Sequence, residues 1–280
     1  MRIAHLTDLH FQSLASARWR DLLGKRAIGA AHLRLFGRQR HFDNDVARLA
    51  IQAVRDVAPD FIAVTGDISA LSLDDEFAMG RDALAPALDA TPSLLIAGNH
   101  DIYTQDARPR FESFFSSWMG SATATGLRIA RHDNVTFVGC DGARPTLIGS
   151  RGYIPGDQLA DLASILARER PAVLLLHYPV VTFDGRPYHA HHRWHCIENA
   201  PDLLRIIERH PPALILHGHV HRGFSAACYG VPVENPGAAG HAFQVAPARA
   251  AAFNVYDVRD GDLISVQRYA HDGQRFVASG

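Results

Sequence analysis

The chain has 280 residues, 28 Lys+Arg against 29 Asp+Glu, and a formal net charge of -1. At 47% hydrophobic and 20% charged it has the composition of an ordinary globular protein, which excludes a disordered or fibrous chain. The neutral balance argues against a general nucleic-acid binder, and no nucleic-acid partner is expected.

Three cysteines, Cys140, Cys196 and Cys228, form no C-x-x-C pair, so neither a disulfide framework nor a cysteine zinc site is predicted and a reducing compartment fits. The N-terminus lacks the apolar core of a signal peptide, and no apolar run nears the ~18 residues that span a bilayer. A cytoplasmic chain is the expectation. Two totals stand out: 27 of the 28 basic residues are arginine, and 17 residues are histidine, the commonest metal ligand.

In chain order, Arg2–Leu6 reads as a buried strand. Residues 18–40 then carry seven basic residues and one acid, a charge of +6 against -7 for the rest of the chain. Trp19, Leu22, Leu23, Ala27, Ala30 and Leu33 fall on one helical face there. The segment, an insertion at about 16–42 in a single domain, suits either a peripheral contact with an anionic membrane surface or substrate, or a helix packed on the body. Asp45–Val57, Asp74–Leu88, Asp157–Arg168 and Ala200–Arg209 read as helices. Phe61–Val64, Leu94–Ile96, Val135–Val138, Val173–Leu176 and Leu214–Leu216 read as the strands between them. This alternation predicts an α/β fold. Phe224–Tyr229, Ala252–Tyr256 and Leu263–Arg268 follow without helices and predict an antiparallel portion closing a mixed sheet.

Polar residues gather where strands end. The first strand runs into Thr7-Asp8-Leu9-His10 and the second into Thr65-Gly66-Asp67. The third runs into Gly98-Asn99-His100-Asp101, and later ones into His177-Tyr178-Pro179 and His217-Gly218-His219-Val220-His221. The carboxyl edge of such a sheet is where ligands bind. Any one histidine taken alone suits a hydrogen-bonded imidazole, but five such endings make a mixed O/N donor set. That set suits two divalent ions, Mn²⁺ first, with Fe, Zn²⁺ or Co²⁺ also compatible. A carboxylate can bridge two ions about 3.5–4 Å apart.

In this order, Asp8-x-His10, Gly66-Asp67, Gly98-Asn99-His100-Asp101, His177 and Gly218-His219-x-His221 resemble the calcineurin-like metallophosphoesterase superfamily, over residues 5 to about 240. The resemblance implies a four-layer α/β/β/α sandwich with two mixed β-sheets. It implies that Asp8, His10, Asp67 and His221 hold one metal and that Asp67, Asn99, His177 and His219 hold the other. His100 would be the catalytic histidine beside the scissile phosphate, with Asp101 orienting it. Two positions differ from the common pattern: Ala70 stands where a second acid is frequent, and Tyr178-Pro179-Val180 follows His177.

Two divalent ions bring the pKa of a shared water toward about 7, and that hydroxide would attack phosphorus in line. The loop His189-Ala190-His191-His192-Arg193-Trp194-His195 suits either a solvated turn or a wall of the site. Arg186, Arg193, His195 and Arg222 are its candidate substrate contacts. Thr65–Ser69, Leu73–Phe77 and Gly98–Thr104, with the basic insertion, resemble the branch containing UDP-2,3-diacylglucosamine pyrophosphatases. That implies a lipid-nucleotide substrate met at the inner membrane surface. A cyclic-nucleotide or general phosphodiesterase is the alternative, and a non-catalytic scaffold of the same fold a third reading.

Overall fold

Successive residues along the inner strands face opposite sides, and that alternation divides the core into three layers. The computed structural model describes residues 1–13, 26, 40–146, 148–243 and 249–279. The basic insertion predicted at 18–40 therefore lies outside the described residues, apart from Arg26 and Arg40.

The first sheet runs β13-β12-β11-β1-β2-β3, from Phe276–Ser279, Asp262–His271, Ala252–Arg259, Arg2–Leu6, Phe61–Val64 and Ser93–Leu95 respectively. The second runs β4-β5-β6-β7-β8-β10-β9, from Ser121–Ala122, Arg128–His132, Val135–Cys140, Ala172–Leu176, Leu214–Leu216, Val231–Asn235 and Phe224–Cys228. Both are mixed: β1, β2 and β3 are parallel, as are β6, β7, β8 and β10, and the flanking strands are antiparallel.

Ile3, Phe61, Ala63, Phe137, Val173 and Leu175 point between the sheets. Phe61 and Phe137 stack there with centroids 3.6 Å apart and planes 7° from parallel. The alternate residues Ala4, Leu6, Ile62 and Val64 face the other way, onto helices α1 (Asn44–Asp56), α2 (Asp74–Leu88) and α3 (Ala107–Phe115). On the far side, Val138, Leu174 and Leu176 meet α4 (Gly156–Arg168) and α6 (Ala200–Arg209), with the short α5 (Tyr188–His191) on the connecting loop. Helix, sheet, sheet, helix is the four-layer α/β/β/α sandwich. Strands covered on both faces read as unbroken apolar runs for that reason.

The C-terminal strands depart from expectation. They do not close one sheet: β9 and β10 form a hairpin on the second sheet, whereas β11, β12 and β13 extend the first. The strand β10 contains Pro232, which lies just before Val233 and Glu234, the residues that pair with β8. Its missing N–H is thus kept clear of the parallel ladder. Among the described residues no helix is long and apolar enough to cross a membrane.

Candidate metal centre

Because β1, β2 and β3 are parallel, the residues that follow them emerge at one edge, and those following β7 and β8 meet them there. The two sheets are tied together at this edge. His219 N donates to Asp8 Oδ2 (2.9 Å) and Ala239 N to the Thr7 carbonyl (2.9 Å). Asp8, His10, Asp67, His219 and His221 all have positive φ, between 50° and 75°. A left-handed conformation at a non-glycine residue costs about 1 kcal/mol or more, and tight polar sites concentrate it. Here it turns each side chain inward straight after its strand. Two close approaches require glycine: a Cβ on Gly98 would collide with the Asp67 carboxylate, and one on Gly218 with Thr7 and Asp8.

The side chains converge as two overlapping groups, Asp8, His10, Asp67 and His221 in one, Asp67, His177 and His219 in the other. Asp67 Oδ2 stands 3.7 Å from His10 Nε2 and 3.5 Å from His177 Nε2, between the two groups. Asn99 Oδ1 lies 3.0 Å from His177 Nε2, which is 3.3 Å from His219 Nδ1. His221 Nε2 lies 3.0 Å from both His10 Nε2 and Asp8 Oδ1.

These donors fit cations. Asp8 Oδ1 and Asp67 Oδ2 are buried and accept no hydrogen bond of good geometry from the described residues. Such oxygens are costly unless a cation meets them. His177 Nδ1 donates to the Thr65 carbonyl at 2.8 Å, which keeps the lone pair on the Nε2 that faces the cluster. Burial would push the Asp67 carboxyl up, but the imidazoles of His177, His100 and His10 hold it well below the usual range. Burial works against charge on His177, yet Asp67 raises it to about 9.

His100 is half-buried at the mouth, edge-on to His10 at 4.9 Å. Its Nδ1 donates to the Ala70 carbonyl at 2.6 Å. This corrects the role expected of Asp101. Rather than meeting the His100 ring, the Asp101 carboxylate accepts from Ile68 N, Ser69 N, Ser69 Oγ and Gly98 N, at 2.8–3.2 Å. Four donors occupy its two oxygens, so it clamps the loops after β2 and β3 beneath the site. Burial, then the charge of Asp67, push it up to about 7. Ala70 contributes only a carbonyl, which explains why its side chain can differ from an acid.

The other candidates separate. His195 reaches the mouth, its ring 6.4 Å from that of His219 and its Nδ1 2.8 Å from Ser150 Oγ. Arg186 and Arg222 line a neighbouring cleft, and Arg193 is exposed on the same loop. His217 is a buried strand-end residue 3.1 Å from Asn235 Nδ2. One wall had no signal in the sequence: Phe42, buried, lies 4.1 Å from the His10 ring and 5.2 Å from that of His221.

The calcineurin-like phosphoesterase family model matches residues 1–223 of the chain. The fold resembles that of a purple acid phosphatase from yellow lupin (Lupinus luteus) seeds, with 13% identity and a TM-score of 0.60. That alignment takes in 99% of this chain and 53% of the lupin one, so the chain spans about half the length of that enzyme. It also resembles GAP50, the anchor in the inner membrane complex of Plasmodium, with 9% identity and a TM-score of 0.51 over 100% of this chain and 87% of that one. Both likenesses concern the fold. No curated protein matches the sequence.

Proposed function

The chain belongs to the calcineurin-like phosphoesterase family, and from that premise we propose that it hydrolyses a phosphodiester or pyrophosphate bond with two divalent ions, Mn²⁺ by preference. The observation that carries the reading is the shared Asp67, whose Oδ2 lies within 3.7 Å of an imidazole of each ligand group. Asp8, His10, Asp67 and His221 would hold one ion, and Asp67, Asn99, His177 and His219 the other. When bound, the ions acidify water and offset charge on the phosphoryl oxygens.

The protein's own contribution is placement and proton transfer. With Nδ1 donating to Ala70, His100 gains and loses its second proton at Nε2, and in the protonated state it stabilises an equatorial oxygen or gives a proton to the leaving oxygen. Asp101 fixes the backbone from which Asp67, Asn99 and His100 project.

For the substrate, the +6 charge and apolar stripe of residues 18–40 favour a lipid nucleotide of the UDP-2,3-diacylglucosamine type, met by a cytoplasmic protein at the membrane surface. A cyclic nucleotide or simple diester is the competing assignment. The test is metal-stripped protein restored with Mn²⁺ and offered bis-p-nitrophenyl phosphate, p-nitrophenyl phosphate, cyclic AMP and the lipid nucleotide. Strictly metal-dependent turnover of a diester or pyrophosphate is expected. Two bound equivalents without turnover of any substrate would overturn the reading in favour of a scaffold.

A further inference from the structure

Beside the metal centre lies a cleft of about 470 Å³, within the roughly 300–1,000 Å³ typical of small-ligand sites. It opens between the loop after β7 and the loop after β8. Val220, on its wall, is flanked in sequence by the ligand candidates His219 and His221, which places the cleft beside the metal centre.

Two flat layers line it. The Arg222 guanidinium lies over the Phe183 ring, 5.1 Å from its centroid. The Tyr188 and His192 rings, also on its wall, stack with centroids 4.2 Å apart and planes 23° from parallel. Phe183 is 59% exposed, so much of its ring remains open to a planar group. The charge is one-sided. Of the lining residues only Asp184 is acidic, and Arg186 occupies it through Nε at 2.7 Å. No carboxylate among the described residues pairs with Arg222 or Arg249. A ligand here is therefore planar and aromatic at one end and anionic at the other.

We propose that this cleft binds the nucleoside side of a nucleotide-containing substrate, with the base layered on Phe183 and a phosphate on Arg222 and Arg249. The proposal rests on the hydrolase reading for the position of the scissile bond, but it can be tested by binding alone.

The metal-loaded protein is titrated calorimetrically with 5′-UMP, ribose 5-phosphate and decyl phosphate. UMP should bind at least roughly tenfold tighter than ribose 5-phosphate, the order expected of one base stacked on one aromatic ring. Phe183→Ala should erase that difference, whereas Arg222→Gln should weaken both ligands alike. Equal binding of UMP and ribose 5-phosphate, a difference that survives Phe183→Ala, or tighter binding of decyl phosphate would each overturn the subsite. In a second arm, thymidine 5′-(p-nitrophenyl phosphate) and methyl p-nitrophenyl phosphate share a leaving group. Their ratio of kcat/KM should fall roughly tenfold in Phe183→Ala. A UMP preference without turnover of either diester supports the subsite and counts against the hydrolase reading alone.

Discussion

Asp67 sits where two groups of ligands overlap, and its burial leaves Oδ2 with no hydrogen-bond partner of good geometry among the described residues. Asp67→Ala should abolish metal-dependent turnover and bring bound metal below two equivalents by elemental analysis. His100→Ala should keep both equivalents, because its ring is committed to the Ala70 carbonyl at the mouth and not to the cluster. Its kcat should fall about 10²–10⁴-fold, the usual worth of a positioned acid; full metal loss in this variant would sink the assignment.

Away from the cluster, burial pushes the Glu76 carboxyl up to about 7 even though it accepts from Leu71 N and Leu73 N. The folded state therefore holds this proton more tightly than the unfolded chain does. Stability contributed by the neutral form is full below about pH 4.5 and is lost as pH rises toward 7, by up to about 3 kcal/mol. Glu76→Gln should flatten that slope in urea unfolding at pH 5 and pH 8; an unchanged slope would place the titration elsewhere.

At this scale the sequence exposes the ligands because their short spacings recur at strand ends. It hides the Asp101 role because neighbours in a turn face different ways: His100 goes to the mouth and Asp101 beneath the loops.

Among the elements, α2 and α6 coincide with the segments read from periodicity, since each carries a regular buried stripe and ends near polar residues. The strand Arg128–His132 was not legible because only Ile129 along it is buried. Helix α3 has only a weak signal in the sequence: Phe111 and Phe115 recur at helical spacing, but Pro109 near its start interrupts the pattern. The start of α1 is set by Asp43, whose Oδ1 accepts from Asp45 N at 2.8 Å and Val46 N at 3.4 Å. Asp43→Ala should cost about 1 kcal/mol of stability, the usual value of an N-cap. Because α1 packs on the first sheet through Ala50 and Val54 and carries no ligand, metal content should stay at two equivalents; its loss would tie the cap to the site.

At the scale of the whole molecule, two sheets meet so that parallel strands of both deliver donors to one edge, and the alternation of strands and helices foretold that much. The division of the C-terminal strands between the sheets was not foretold, because turn chemistry fixes local pairing and leaves open which open edge a hairpin joins. The sequence also separates a +6 segment from a -7 remainder, and Arg26 links the two. It is buried, and its guanidinium donates to the carbonyls of Leu71 and Ser72, next to the Ala70 that holds His100.

Deleting residues 18–40 would thus remove a support of the loop that holds His100 together with the basic charges. A sharper test keeps Arg26 and replaces Arg18, Arg20, Lys25, Arg34, Arg38 and Arg40 with Gln. If the surface recruits a lipid nucleotide, kcat/KM on that substrate in anionic micelles should fall at least roughly tenfold. Each basic residue near an anionic surface is worth about 1 kcal/mol, and the wild-type advantage should shrink with added salt as screening predicts. Cyclic AMP and bis-p-nitrophenyl phosphate should be turned over within about twofold of wild type. An equal loss on every substrate would show that the charges support the fold of the site and not the capture of lipid.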